Sequence, residues 1–165
     1  MCDASVMKRW QAMVGGLAVV GFVACGGPPP KTPEKAASSA VARWQKRLGT
    51  VTECGQAVRS RGDESCSLQP IHKCLHDALE ACRPAHGTHL YSTSEGDPVR
   101  VDYFVAPEKG ACLFVVVEDK SADPVGNKGV VEQASRTTSW SPQQDAPGCQ
   151  ALAPVDCRVV GTSPR

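Results

Sequence analysis

Aromatic residues are scarce: Phe, Trp and Tyr make up 5% of the 165 residues. A core built from this chain is lean and needs reinforcement beyond ring packing. Net charge is lacking too, because 18 basic residues stand against 17 acidic ones. That balance gives no electrostatic footing for nucleic acid. There is no C-x-x-C, so neither a zinc ribbon nor a thioredoxin-like redox pair is signalled. There is no Walker loop, no G-x-G-x-x-G and no G-x-S-x-G, which leaves nucleotide chemistry and a nucleophile elbow without support. A membrane-length apolar run is also missing. Residues 10–24 are uncharged, but as a helix they span only about 22 Å against a hydrocarbon core of about 30 Å. These absences predict a protein that is not an enzyme and carries no cofactor.

What is present begins with an address. Lys8 and Arg9 precede the uncharged run and read with it as an export signal over 1–24, with Met7 as an alternative start. The signal ends in Phe22-Val23-Ala24-Cys25. This resembles the lipobox of bacterial lipoproteins, with Phe22 where leucine is usual. The resemblance implies cleavage before Cys25, acylation of Cys25 and anchoring in a membrane of the bacterial cell envelope. Gly26, standing where an aspartate would retain the protein, resembles the pattern sent to the outer membrane in hosts that have one. The resemblance covers the leader and Cys25 and implies nothing about the mature domain. Residues 25–32 form a tether with nothing to bury. Its proline run prefers polyproline II and reaches on the order of 20 Å. One small domain, 33–165, follows.

Within that domain, Thr32-Pro33 reads as a helix start. Ala37, Val41, Trp44, Leu48, Val51 and Val58 form one helical stripe, weakened by Gly49, Thr50 and Thr52, that ends in a turn at 59–63. A second helix is predicted over 68–83, with Ile71, Cys74, Leu75, Ala78, Leu79 and Cys82 on one face and Pro84 and Gly87 after it. The period then changes to two. Strands are predicted at 89–93, 99–105 and 111–118, with a turn at Pro107-Glu108-Lys109-Gly110 and short strands near 130–131 and 155–160. Residues 137–148 read as irregular. The expected fold is α+β: an N-terminal helical hairpin packed on a small antiparallel sheet and stabilised by disulfides.

Nine cysteines are unusual for this length. Cys2 leaves with the leader and Cys25 goes to lipid, so Cys54, Cys66, Cys74, Cys82, Cys112, Cys149 and Cys157 remain as disulfide candidates in an oxidising compartment. Eight helical steps cover about 12 Å, and a disulfide needs Cα atoms within about 7 Å. Cys74 and Cys82 on one helix therefore cannot pair, and each must reach another element. Cys54–Cys74 is the preferred bond, across the hairpin. Cys82 and Cys112 are expected to tie helix to sheet or sheet to the C-terminal segment, and Cys149 and Cys157 pair with each other or with these. An odd number leaves one thiol over, buried or bonded to a partner chain.

The four histidines fall within a short window: His72, His76, His86 and His89. An i,i+4 pair on a helix with two more imidazoles nearby has the composition of a transition-metal site, although no glutamate lies between the pair as in a zincin. The bland alternative is a polar helix face and an exposed loop. Asp119-Lys120-Ser121-Ala122-Asp123-Pro124 alternates oxygen ligands, but Pro124 stands where a calcium loop needs glycine. Trp140, in a polar stretch, is either a contact residue or a lid on the core. The sequence thus points to a non-enzymatic envelope lipoprotein. It would act as a binding or structural module, with lipid held through Cys25 and an unidentified envelope protein or ligand as partner. Metal binding through the histidine cluster is the alternative.

Overall fold

Ser38 starts the first helix. Its backbone is extended and its hydroxyl accepts the Val41 N–H at 3.4 Å, a short-range N-cap. The computed structural model describes residues 37–59, 66–123, 129–142 and 148–156 together with the backbone of 158–163. The leader, Cys25, the tether, the Thr32-Pro33 start and Cys157 lie outside the described residues. Helix α1, Ser39–Leu48, buries Ala40, Val41 and Trp44 and stops at Gly49, whose φ of +66° takes the chain out of helical geometry.

Here the expected helical hairpin is corrected. Residues 52–59, which carry Val58 of the anticipated stripe, form strand β1, Thr52–Arg59. Two things favour this outcome: the left-handed glycine ends the helix, and Thr50-Val51-Thr52 is a run of β-branched residues that prefers extended backbone. Helix α2, Gln69–Glu80, follows with Pro70 in its first turn and leads into β2, Ala85–Ser92. β1 and β2 pair in parallel, so α2 is the crossover of a β–α–β unit rather than the second arm of a hairpin.

The remaining strands are β3 (Pro98–Glu108), β4 (Ala111–Asp119), β5 (Val130–Ser135), β6 (Thr138–Pro142), β7 (Gln150–Pro154) and β8 (Arg158–Ser163). The main sheet has the order β1-β2-β3-β4-β5-β8. It is mixed, not purely antiparallel, because of the β1–β2 pair. The β3–β4 hairpin turns on Lys109-Gly110, with Glu108 opposite Ala111. β6 and β7 pair as a separate antiparallel ribbon, so part of the stretch expected to be irregular is strand.

Strand alternation divides the core in two. Phe104, Ala106, Leu113, Val115, Val117 and Ala134 face one way and meet Ala40, Val41 and Trp44 of α1. Ala85, Val105 and Phe114 face the other way and meet Ile71, Leu75 and Ala78 of α2 and Leu152 of β7. Gly87 shows how closely α2 sits on the sheet, since a Cβ there would fall 2.6 Å from Ile71 Cγ2.

Three disulfides among the described residues all grip the α2 segment. Cys54 of β1 bonds Cys74 in mid-helix, Cys66 just before the helix bonds Cys149 just before β7, and Cys82 just after it bonds Cys112 of β4. The eight-residue spacing of Cys66, Cys74 and Cys82 thus sends each sulfur to a different neighbour.

Candidate functional site

Polar side chains are buried in two clusters, one on each face of the sheet. On the α1 face, Asp102 of β3 has no exposed surface. Its Oδ1 meets His86 Nε2 and accepts the Thr88 hydroxyl, each at 2.9 Å, and Arg100 donates to both oxygens, at 2.6 Å from Nε and 2.8 Å from Nη2. The other His86 nitrogen, Nδ1, meets Glu53 of β1 at 3.1 Å. The His86 ring lies flat on Phe104, with centroids 4.7 Å apart.

Burial works against a charge on His86, but the bonds and charges of Asp102 and then Glu53 outweigh it and hold its pKa above 6.5. Burial likewise opposes the Asp102 carboxylate, and Arg100, His86 and Thr88 outweigh it and hold that pKa below 3.8. Both ring nitrogens of His86 are engaged by carboxylates. No lone pair is left for a metal or a substrate, and the network acts as a polar staple across β1, β2 and β3.

The other cluster is left open. A cavity of about 370 Å³ lies between the α2 face of the sheet, the first turn of α2 and β7. Its polar lining comes from Arg59 of β1, His72 of α2, His89 and Tyr91 of β2, Tyr103 of β3, Glu118 of β4 and Gln133 of β5. Leu68, Val101, Val116 and Leu152 supply apolar wall. His72 and His89 are only 2% and 7% exposed, yet Nε2 of each has no hydrogen-bond partner.

Burial lowers the His72 pKa from 6.5 to about 4. Burial, with the nearby His72 and Arg59, lowers that of His89 to about 4 as well. Both rings are therefore neutral at ordinary pH. Burial raises the Tyr103 pKa, with help from Glu118 and Asp102, so its hydroxyl keeps its proton. The Leu152 N–H donates to His72 Nδ1 at 2.8 Å. His72 stands edge-on to Tyr103 at 4.8 Å, and His89 stacks on Tyr91 at 5.0 Å. Tyr91 donates its hydroxyl to Glu118 at 3.1 Å, and Lys120 pairs with the same carboxylate at 3.0 Å.

The four histidines proposed as one metal cluster therefore do not converge. His86 sits on the α1 face because residues 86 and 89 have opposite parity on one strand. His76 is on the outer side of α2, 5.5 Å from Trp140, where its ring nitrogen and carboxylate oxygens of Asp77 and Glu80 lie within 4.8 Å of one another. Asp77 and Glu80 are exposed, and such surface groupings are common without a metal. Only His72 and His89 share a cavity. Trp140 is 37% exposed on β6, opposite Leu152 in the ribbon ladder.

A larger groove of about 750 Å³ runs beside α1. Two of its cations are already committed, Arg43 to Glu132 and Arg47 to Glu108. Sequence reasoning did not single out Arg59, Tyr91, Tyr103 or Leu152. Tyr103 falls within the predicted strand 99–105, but nothing local linked it to β7. Comparison with protein-family models, with curated proteins and with solved structures finds no match to this chain.

Proposed function

We propose that this protein is a lipid-anchored binding module of a bacterial cell envelope, non-enzymatic, tethered through acylated Cys25 and binding a small ligand in the cavity between α2 and β7. In a host with two membranes, the residue after Cys25 favours the outer one. The observation that carries the binding role is the pair of imidazoles that line that cavity, His72 and His89, whose Nε2 atoms are buried without partners. Native interiors satisfy nearly all buried polar atoms, so two unpaired ones beside a cavity favour a ligand. Three disulfides among the described residues agree with an oxidising compartment. The lipobox-like Phe22-Val23-Ala24-Cys25 supports the anchor.

The test is the mass of the full chain, expressed in a bacterium and recovered unreduced from its membranes. Under denaturing conditions a lipid-sized increment on a chain starting at Cys25 is expected, and an unlipidated mass overturns the anchor. Under native conditions a small molecule retained by the wild type and lost from His72→Phe supports the cavity. Equal retention by both places binding elsewhere and overturns the cavity as the site.

A further inference from the structure

The hydrogen on His72 can be placed from its neighbours. A neutral imidazole has one acceptor nitrogen and one N–H. The Leu152 N–H uses Nδ1 as its acceptor, so Nε2 carries the hydrogen. That Nε2–H is buried and has no partner. A nitrogen holding a proton does not ligate a metal, which argues against a cation at this atom. It can only donate. Tyr103, whose hydroxyl keeps its proton, and Gln133, whose amide can donate, line the same cavity, so its polar residues offer further donors.

The rest of the wall is flat or branched. The rings of His72, His89, Tyr91 and Tyr103 alternate with Val101 and Val116. A wall with this many rings favours an aromatic guest, which can meet them edge-on or face-on. At about 370 Å³ the cavity is near the lower end of small-molecule sites, a size for a one- or two-ring molecule.

We propose that the cavity binds a small aromatic molecule bearing an oxygen acceptor, a carbonyl or carboxylate oxygen that takes the His72 Nε2–H. The proposal rests on the reading of this cavity as the binding site and adds the chemical class of the ligand. Arg59 favours a carboxylate. Glu118 opposes one, but its charge is offset by Tyr91 and Lys120. The two sources of the oxygen are therefore separated by experiment.

The oxidised full chain, with ¹⁵N-labelled histidine, is titrated with benzamide, benzoate, toluene and cyclohexanecarboxamide while the ring nitrogens are followed by NMR. The expected result is a shift of His72 Nε2 and its proton with benzamide, benzoate or both, while Nδ1 keeps the signature of an acceptor. Benzamide alone identifies a neutral carbonyl ligand, and benzoate alone an anionic one. His72→Phe is expected to weaken the responding probe about tenfold, the worth of one hydrogen bond, and to leave toluene unchanged. If that variant does not fold, Tyr103→Phe, which removes only a hydroxyl, is expected to weaken the same probe severalfold.

Toluene binding as tightly as benzamide and benzoate overturns the acceptor requirement. Cyclohexanecarboxamide binding as tightly as benzamide overturns the aromatic one. Either result leaves the cavity standing as a binding site. A silent His72 with every probe overturns the ligand class, and the native mass experiment then decides separately whether the cavity binds anything. Finding Nδ1 protonated in the free protein overturns the donor assignment itself.

Discussion

On the α1 side of the sheet His86 is buried between two carboxylates and held toward its charged form. On the α2 side His72 and His89 are as deeply buried, neutral, and short of partners. The difference separates a structural polar group from a candidate site. The α1-side network closes on itself: Arg100, Thr88, His86 and Glu53 meet every strong hydrogen-bonding demand of Asp102 and the imidazole. The α2-side rings leave demand unmet beside empty space. The reinforcement differs as well. All three disulfides among the described residues lie with the α2 layer, whereas α1 is held by Trp44, its apolar neighbours and Glu132. The layer that carries the unpaired imidazoles is the one bound covalently.

The largest expected effect tests that division. Cys66→Ser with Cys149→Ser opens a bond spanning 83 residues of sequence, and loop-closure entropy puts its worth at about 4–5 kcal/mol. Urea unfolding is expected to show a drop of that order. Hydrogen exchange is expected to show lost protection in α2, β6 and β7, with β3 and β4 unchanged. If α1 and the central strands lose protection to the same degree, the two layers form one cooperative unit and the contrast between them fails.

Next in size is Asp102→Asn. It keeps volume but removes the charge that both Arg100 and His86 face, and breaking a buried charge network costs about 3–5 kcal/mol. The closed network predicts a loss near that value in chemical denaturation. A cost under about 1 kcal/mol, typical of a surface pair, would mean that water reaches this cluster and that it is not closed.

How much of this was legible in sequence follows from the range of the forces involved. β3 and β4 were readable because their signals are local: Val99 to Val105 alternate, and 111–118 is a short apolar run that follows a turn. The Cys54–Cys74 bond is present although the helical hairpin it was inferred from is not: residue 54 does lie against mid-α2, but from strand β1. The identity of 52–59 was not legible, since Val51 and Val58 fit a helical spacing as well as they fit a strand, and the parallel partner that decides the matter is β2, beyond a whole helix. The candidate site was half legible. His72 and His89 were flagged by residue type, but their separation from His86 depends on strand parity in a β2 that starts at Ala85, four residues earlier than expected. Leu152, which sets the His72 tautomer, is 80 residues away in sequence.

Acid sharpens the comparison further. The His72 and His89 pKa values fall from 6.5 to about 4 on folding, so between these limits the unfolded chain binds more protons and stability declines as pH drops. The expected loss is on the order of 1–2 kcal/mol per imidazole by pH 5. His86 has the opposite sign. Its pKa is raised, so its contribution is complete below 6.5 and is lost only as pH rises through the folded value. Asp102 is lowered, so its contribution persists above 3.8 and is lost as pH falls through its folded value. Across pH 6.5 to 4 the α2 side therefore weakens while the α1 side does not. Unfolding free energies measured at several pH values, in the wild type and in His72→Phe, are expected to show a shallower slope in the variant. Equal slopes would remove His72 as a source.

The smallest expected effect concerns how α1 is fastened. Glu132 of β5 accepts the Trp44 Nε1–H at 3.0 Å and pairs with Arg43. The Arg43 side chain is 61% exposed, so its ion pair is screened and adds little. The Trp44 bond is buried, and its loss leaves an indole N–H unpaired at a cost of about 1–3 kcal/mol. Two substitutions separate these contributions. Glu132→Gln keeps an oxygen for Trp44 and gives up the charge, so it is expected to cost under about 1 kcal/mol. Glu132→Ala gives up both and is expected to cost about 2 kcal/mol. That order in thermal or urea unfolding would show α1 fastened by a neutral-type hydrogen bond over an apolar contact, unlike the charged network beside it at Asp102. Equal losses from the two variants would make the Arg43 pair the fastening, and would bring charge to both polar anchors of the α1 face.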